Sequence, residues 1–143
     1  MSRHVLVAID DSEASRAAFE YALEEYPAAT ITALHVFDST HPNIYADATG
    51  GSADRYEEYE QANRERGSEL LADATECAAD RGRGVRTALE DGRPVRTIVE
   101  YAADRDVDHL VLGSHDSSVS SRISFGTVCQ RVVKRASVPV TVV

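Results

Sequence analysis

Apolar residues along this 143-residue chain follow two alternating rhythms. The first is a short continuous run rich in β-branched residues, the mark of a strand buried on both faces of a parallel sheet. It occurs at residues 5–9 (VLVAI), 31–37 (ITALHVF), 85–89, 108–112 and 139–143. The second is the helical spacing of three and four. Ala14, Ala17, Ala18, Tyr21 and Ala22 carry it after the first run, and Pro27 ends that helix. Leu70, Leu71, Ala74, Cys77 and Ala78 form the stripe of a long charged helix predicted over about 54–81, closed by Gly82 and Gly84. Val95, Ile98, Val99 and Ala102 follow Pro94, which suits a first helical turn because the N–H it lacks has no partner there. Val128, Cys129, Val132, Val133 and Ala136 make the last inward stripe, in a helix that begins near Gly126 and Thr127. The order βαβαβαβαβ predicts an α/β fold, a parallel sheet with helices on both faces. A single domain over 1–143 is expected, since a chain of this size buries about 68–70% of its unfolded surface.

Two stretches break the pattern. Residues 38–53 hold Pro42, Gly50, Gly51 and many small polar residues, and predict a mobile loop whose length suggests a lid. Residues 114–124 are rich in serine and read as a polar connection, with Ser117, Ser118, Ser120 and Ser121 solvated.

Charge narrows the function classes. There are 24 Asp plus Glu against 15 Lys plus Arg, a net charge of −9, and Lys134 is the sole lysine. A surface so acidic repels nucleic-acid phosphates, so general DNA or RNA binding is disfavoured. The same bias suits a protein that stays soluble in high salt, where screening removes self-repulsion, and a halophilic source is expected. No apolar run approaches the ~18–20 residues that span a bilayer, and the start meets Asp10 and Asp11 at once, unlike a signal peptide; a cytoplasmic location is expected. Cys77 and Cys129 sit at apolar helical positions and are expected to be buried free thiols rather than a disulfide. The five histidines show no metal-ligand spacing, and there is neither a GxxxxGK[ST] loop nor a GxGxxG turn.

In an open parallel sheet, ligands bind beyond the carboxyl ends of the strands, where strand order reverses. Two loops qualify. Asp10-Asp11-Ser12 follows the first strand, and Asp11 or Ser12 can cap the helix after it. Gly113-Ser114-His115-Asp116 follows the fourth and runs on to Phe125-Gly126-Thr127 at a helix start. Glycine admits close backbone approach to a phosphate, and a helix N-terminus offers free N–H groups and the positive end of a dipole. A strand-ending glycine with a capping Gly-Thr would explain the same residues without any ligand. His35 and His115 read as structural or solvated, with no nucleophile pair in view.

The segments HVLVAIDDSEAS at 4–15, LHV at 34–36, LVLGS at 110–114, FGTV at 125–128 and ASVPVTVV at 136–143 stand in one order along the chain. With them the whole sequence resembles the universal stress protein family. The resemblance implies a three-layer, open, parallel five-stranded sheet of order 3-2-1-4-5, Rossmann-like and similar to the adenine nucleotide alpha hydrolases. It also implies a homodimer, in one branch a bound ATP, and, with the acidic composition, a halophilic archaeal source. The ATP-binding branch carries Gly, two residues, Gly, nine residues, then Gly with Ser or Thr. Gly113 matches the first glycine, and Gly126 with Thr127 match the final pair. Asp116 replaces the second glycine. A carboxylate there opposes a phosphate by about 1 kcal/mol at 4 Å in water and about 4 at an effective dielectric of 20. High salt, Arg122, or Mg or Mn bridging Asp116 to phosphate could offset this. Asp10 matches the family aspartate that faces the adenine and ribose end, with a helix-preceding turn residue as the lesser alternative, and Val36 matches the position that packs on adenine, which core packing explains equally well.

The expected function is therefore a nucleotide-binding sensor or switch with at most slow ATP hydrolysis. The alternatives are a dimeric interaction module whose site decayed at Asp116, and a hydrolase whose metal is held by Asp10 or Asp116. A homodimer paired through the C-terminal strand is expected, because residues 138–143 make an apolar edge.

Overall fold

The computed structural model describes residues 3–38, 53–115 and 127–143. Within them the elements run β1 (His4–Ala8), α1 (Glu13–Glu25), β2 (Thr30–Phe37), α2 (Ala53–Asp80), β3 (Arg86–Asp91), α3 (Pro94–Asp104), β4 (His109–Leu112), α4 (Thr127–Arg135) and β5 (Val140–Val142). The strands form one sheet of order β3-β2-β1-β4-β5, and every pairing is parallel. The α/β fold and the strand order are as expected. All of the proposed lid at 38–53 except its two end residues, and most of the serine-rich loop, lie outside the described residues.

The continuous apolar runs are strands because both faces are buried. Val5, Val7 and Ile9 point into one core with Ala18, Phe19, Ala22 and Leu23 of α1 and Leu71, Ala74 and Ala78 of α2. Leu6, Leu34, Leu110 and Leu112 point into a second core with Ile98 and Ala102 of α3 and Val132 of α4. Side chains alternate across a strand, so a residue's position alone assigns it to a layer.

Strand and helix ends differ from the sequence pattern where hydrogen bonds decide them. β3 runs on through Glu90 and Asp91 because these pair with Val36 and Phe37, although the acidic residues read as a stop. α2 ends in a Schellman turn: Gly82 N–H donates to Ala79 O, Arg83 N–H to Ala78 O, and Gly82 takes φ +71°. Cys129 is buried, Cys77 half-buried, and both are free thiols.

Candidate functional site

β1 and β4 are neighbours in the middle of the sheet, yet the chain leaves them in opposite directions, β1 toward β2 and β4 toward β5. This is the reversal point at which a crevice opens beyond the strand ends. The loop after β1 is built by its own side chains. Ser12 is the N-cap of α1, its Oγ accepting from Ser15 N–H at 3.1 Å. Asp10 Oδ1 accepts from Ser12 N–H at 2.8 Å and from Ser12 Oγ–H at 2.5 Å. Ser15 Oγ in turn accepts from Asp10 N–H at 2.9 Å. In a capping box the side chain at this position accepts the N–H of the cap residue; here the Ser12 N–H goes to Asp10, and the buried Ser15 reaches two residues further back to the Asp10 N–H. Ser15 was missed in the sequence, although its place three residues after Ser12 was the available signal.

The loop after β4 packs onto this turn. A Cβ on Gly113 would lie 2.6–2.8 Å from backbone atoms of Ala14 and Ser15, so only glycine lets β4 end against the first turn of α1. Ser12 Oγ lies 3.4 Å from the His115 carbonyl oxygen. Ser114 N–H donates to Val143 O, and Val143 N–H donates to Leu112 O, each at 2.8 Å, so the residue after β5 supports this loop.

Of the residues singled out in the sequence, the structure brings Asp10 and Gly113 to one place, at the start of α1. Val36 is at the same edge: the β1–β2 register pairs Ala8 with Leu34, and carried two residues further it sets Asp10 opposite Val36. Val36 itself packs against the second core. Thr127 opens α4. Asp116 and Gly126 lie outside the described residues.

Asp10, Ser12 and Ser15 also line an open cleft of about 560 Å³ between α1 and α2, together with Ile9, Phe19 and Leu70. Asp11, Glu13, Asp73, Glu76 and Asp80 are on its walls with Arg16. A polyphosphate would meet like charge there. On the β4 side of Asp10 the α1 and α4 N-termini lie at the carboxyl edge of the sheet, where a helix N-terminus favours an anion. Asp11 is turned away from that side by an exposed ion pair with Arg66 of α2. Among the described residues no three His, Cys, Asp or Glu side chains form a metal-holding group, and no helix is long and apolar enough to cross a membrane.

The sequence model of the universal stress protein family matches residues 1–143. The chain belongs to that family. It is 29% identical over 144 residues to universal stress protein MJ0531 of Methanocaldococcus jannaschii, covering 99% of this chain and 81% of the relative. The solved structure of MJ0577 superposes with a TM-score of 0.82 at 26% identity, covering 100% of this chain and 96% of the other. A universal stress protein of Arabidopsis thaliana, solved with AMP bound, has a TM-score of 0.70 at 24% identity over 99% of this chain and 90% of its own. At that identity the likeness establishes the fold of the universal stress proteins and no more.

Proposed function

We propose that this universal stress protein is an adenine-nucleotide-binding sensor or switch, one domain over 1–143 that takes ATP or a related nucleotide where β1 and β4 end. The observation that carries the reading is the packing of Gly113 on the first turn of α1. It joins the Asp10 turn and the loop after β4 into one rigid edge. Asp10 and Val36 would face the adenosine end. Gly113, Gly126, Thr127 and the α4 N-terminus would face the phosphates, with Asp116 among them. The AMP held by the Arabidopsis protein of the same fold supports the choice of nucleotide. A divalent ion such as Mg²⁺ or Mn²⁺ would arrive with the phosphates, with Asp116 as its protein ligand. The acidic, lysine-poor composition supports a saline cytoplasm, and the apolar β5 edge supports a homodimer. Isothermal calorimetry with ATP and with AMP in molar KCl tests the reading. Saturable binding supports it. No heat and no shift in melting temperature at millimolar nucleotide overturns it in favour of the second reading.

That second reading is a dimeric interaction module without nucleotide. One observation favours it: Asp10 Oδ1 accepts two hydrogen bonds from Ser12, which ties the carboxylate to its own turn.

A further inference from the structure

His109, on β4, joins the edge strand β5 to the end of α1 at one corner of the sheet. Its Nε2 lies 2.6 Å from Thr141 Oγ1 on β5 and 3.4 Å from the Tyr26 hydroxyl just past α1. The Tyr26 ring tilts against the imidazole with 5.4 Å between centroids. β5 is three residues long, lies at the sheet edge, and leaves Val142 39% exposed. The chain past it supports the loop after β4 through the Val143–Ser114 and Val143–Leu112 hydrogen bonds. We propose that His109 is a proton-operated latch on β5: neutral, it ties the edge strand to Tyr26; protonated, it swings to solvent and loosens β5 and the Ser114 loop that β5 supports.

The surroundings of the ring favour the neutral form. Tyr26, from the α1 side, is an uncharged phenol, and β5 presents the Thr141 hydroxyl. Arg3, ahead of β1, is the charged group that acts on the ring. Asp108, the preceding residue, accepts the His4 N–H at 2.8 Å, and Arg83, from the loop after α2, is bound to the Tyr26 carbonyl at 3.1 Å. Burial first, and Arg3 second, hold the imidazole below its ordinary value of 6.5. Because the folded value is the lower one, the unfolded or opened state binds the proton more readily. The latch is closed above the ordinary histidine range and opens as pH falls through it. With a proton on Nε2 the Thr141 hydroxyl can serve only as acceptor, so what opposes protonation is the burial of the charge rather than the loss of this hydrogen bond.

The test uses the nucleotide-free protein, so it is independent of the proposed function. Hydrogen exchange at about pH 7.5 and about pH 5.5, corrected for intrinsic rates, is compared for wild type and His109→Gln, whose amide keeps a hydrogen-bonding group without titrating. The expected result is several-fold faster exchange of the Thr141–Val143 amides in acid for wild type, a flat response for His109→Gln, and α3 unchanged in both. NMR titration of the His109 ring should give a value below 6.5, and Arg3→Gln should raise that value and shrink the acid loosening. An equal acid response in wild type and His109→Gln, or a ring that titrates at or above the ordinary value, overturns the latch. A nucleotide titration at both pH values separates the two proposals: affinity that falls in acid for wild type and holds for His109→Gln supports the link to the site. An absence of nucleotide binding at either pH overturns the site reading and leaves the exchange result to decide the latch.

Discussion

Gly113 shows how much one absent side chain can decide. The atoms its Cβ would strike are backbone of Ala14 and Ser15, which no rotamer change can move aside. Gly113→Ala should destabilise the fold toward the upper end of the roughly 1–3 kcal/mol usual for overpacking, read by chemical denaturation. It should also weaken nucleotide binding, because relief comes by parting the two loops that form the site. Asp116 raises the opposite issue: a side chain stands where the family pattern has none. Asp116→Gly should tighten ATP binding in calorimetry by removing a like charge near the phosphates. Unchanged affinity would place Asp116 away from them. Weaker affinity that EDTA equalises between the two proteins would assign Asp116 to a metal. Asp10 and Gly113 were legible from sequence as residues of a strand-end crevice. The role of the Ala14 backbone was not, because it depends on the contact of Gly113 with a loop far back along the chain, whereas the Ser15 bond to Asp10 is local and its spacing from Ser12 was there to be read.

At the scale of elements, apolar runs and helical stripes were enough to place all nine described segments, since each must bury one face or two. The fittings between elements were hidden. Gly67 lies inside α2, where a glycine reads as a weakness of the helix. Its added Cβ would come within 2.6 Å of Leu89 Cδ1 and 2.7 Å of His35 Cδ2, so it lets α2 lie directly on β2 and β3. No spacing along the chain reveals that contact. Arg83 was equally hidden among fourteen arginines. Its guanidinium donates to the carbonyls of Leu23 at 2.7 Å, Tyr26 at 3.1 Å and Ala29 at 3.1 Å, closing the C-terminus of α1 from the loop after α2. Leu23 is in the last turn of α1, Tyr26 is its C-cap and Ala29 lies in the turn before β2, so one half-buried cation ties the helix end to that turn. Arg83→Ala should cost about 2–3 kcal/mol, near the range for hydrogen bonds to a charged group, and lower the melting temperature by about 5–10 °C. Arg83→Lys should recover little of this, since one ammonium cannot span three carbonyls in a planar fork. A loss below about 0.5 kcal/mol for Arg83→Ala would mean that water serves these carbonyls equally well.

For the whole molecule, charge and the open sheet edge act against each other. Two copies that each carry −9 repel one another, while among the described residues no strand pairs with the outer edge of β5, and Val142 is 39% exposed. Pro139, lacking an N–H, stands just before β5 and limits where a second ladder could start. Two copies related by a two-fold axis could pair β5 antiparallel and close the edge. The sequence suggested Val140 and Val142 together as the apolar face of that contact. The structure separates them, because Val140 packs against the second core and Val142 does not. Val142→Lys is therefore the clean variant, placing a charge on the edge without opening the core. In molar KCl the screening length falls to about 3 Å, so the repulsion between copies is largely removed and the edge contact should prevail. Light scattering should then report a dimer for wild type in high salt, a larger monomer fraction at about 0.1 M salt, and a monomer for Val142→Lys with an unchanged far-ultraviolet circular dichroism spectrum. A wild-type monomer in high salt would remove the edge-strand dimer. A Val142→Lys dimer as tight as wild type would move the interface to another face, where the exposed Val133 of α4 is the next residue to replace.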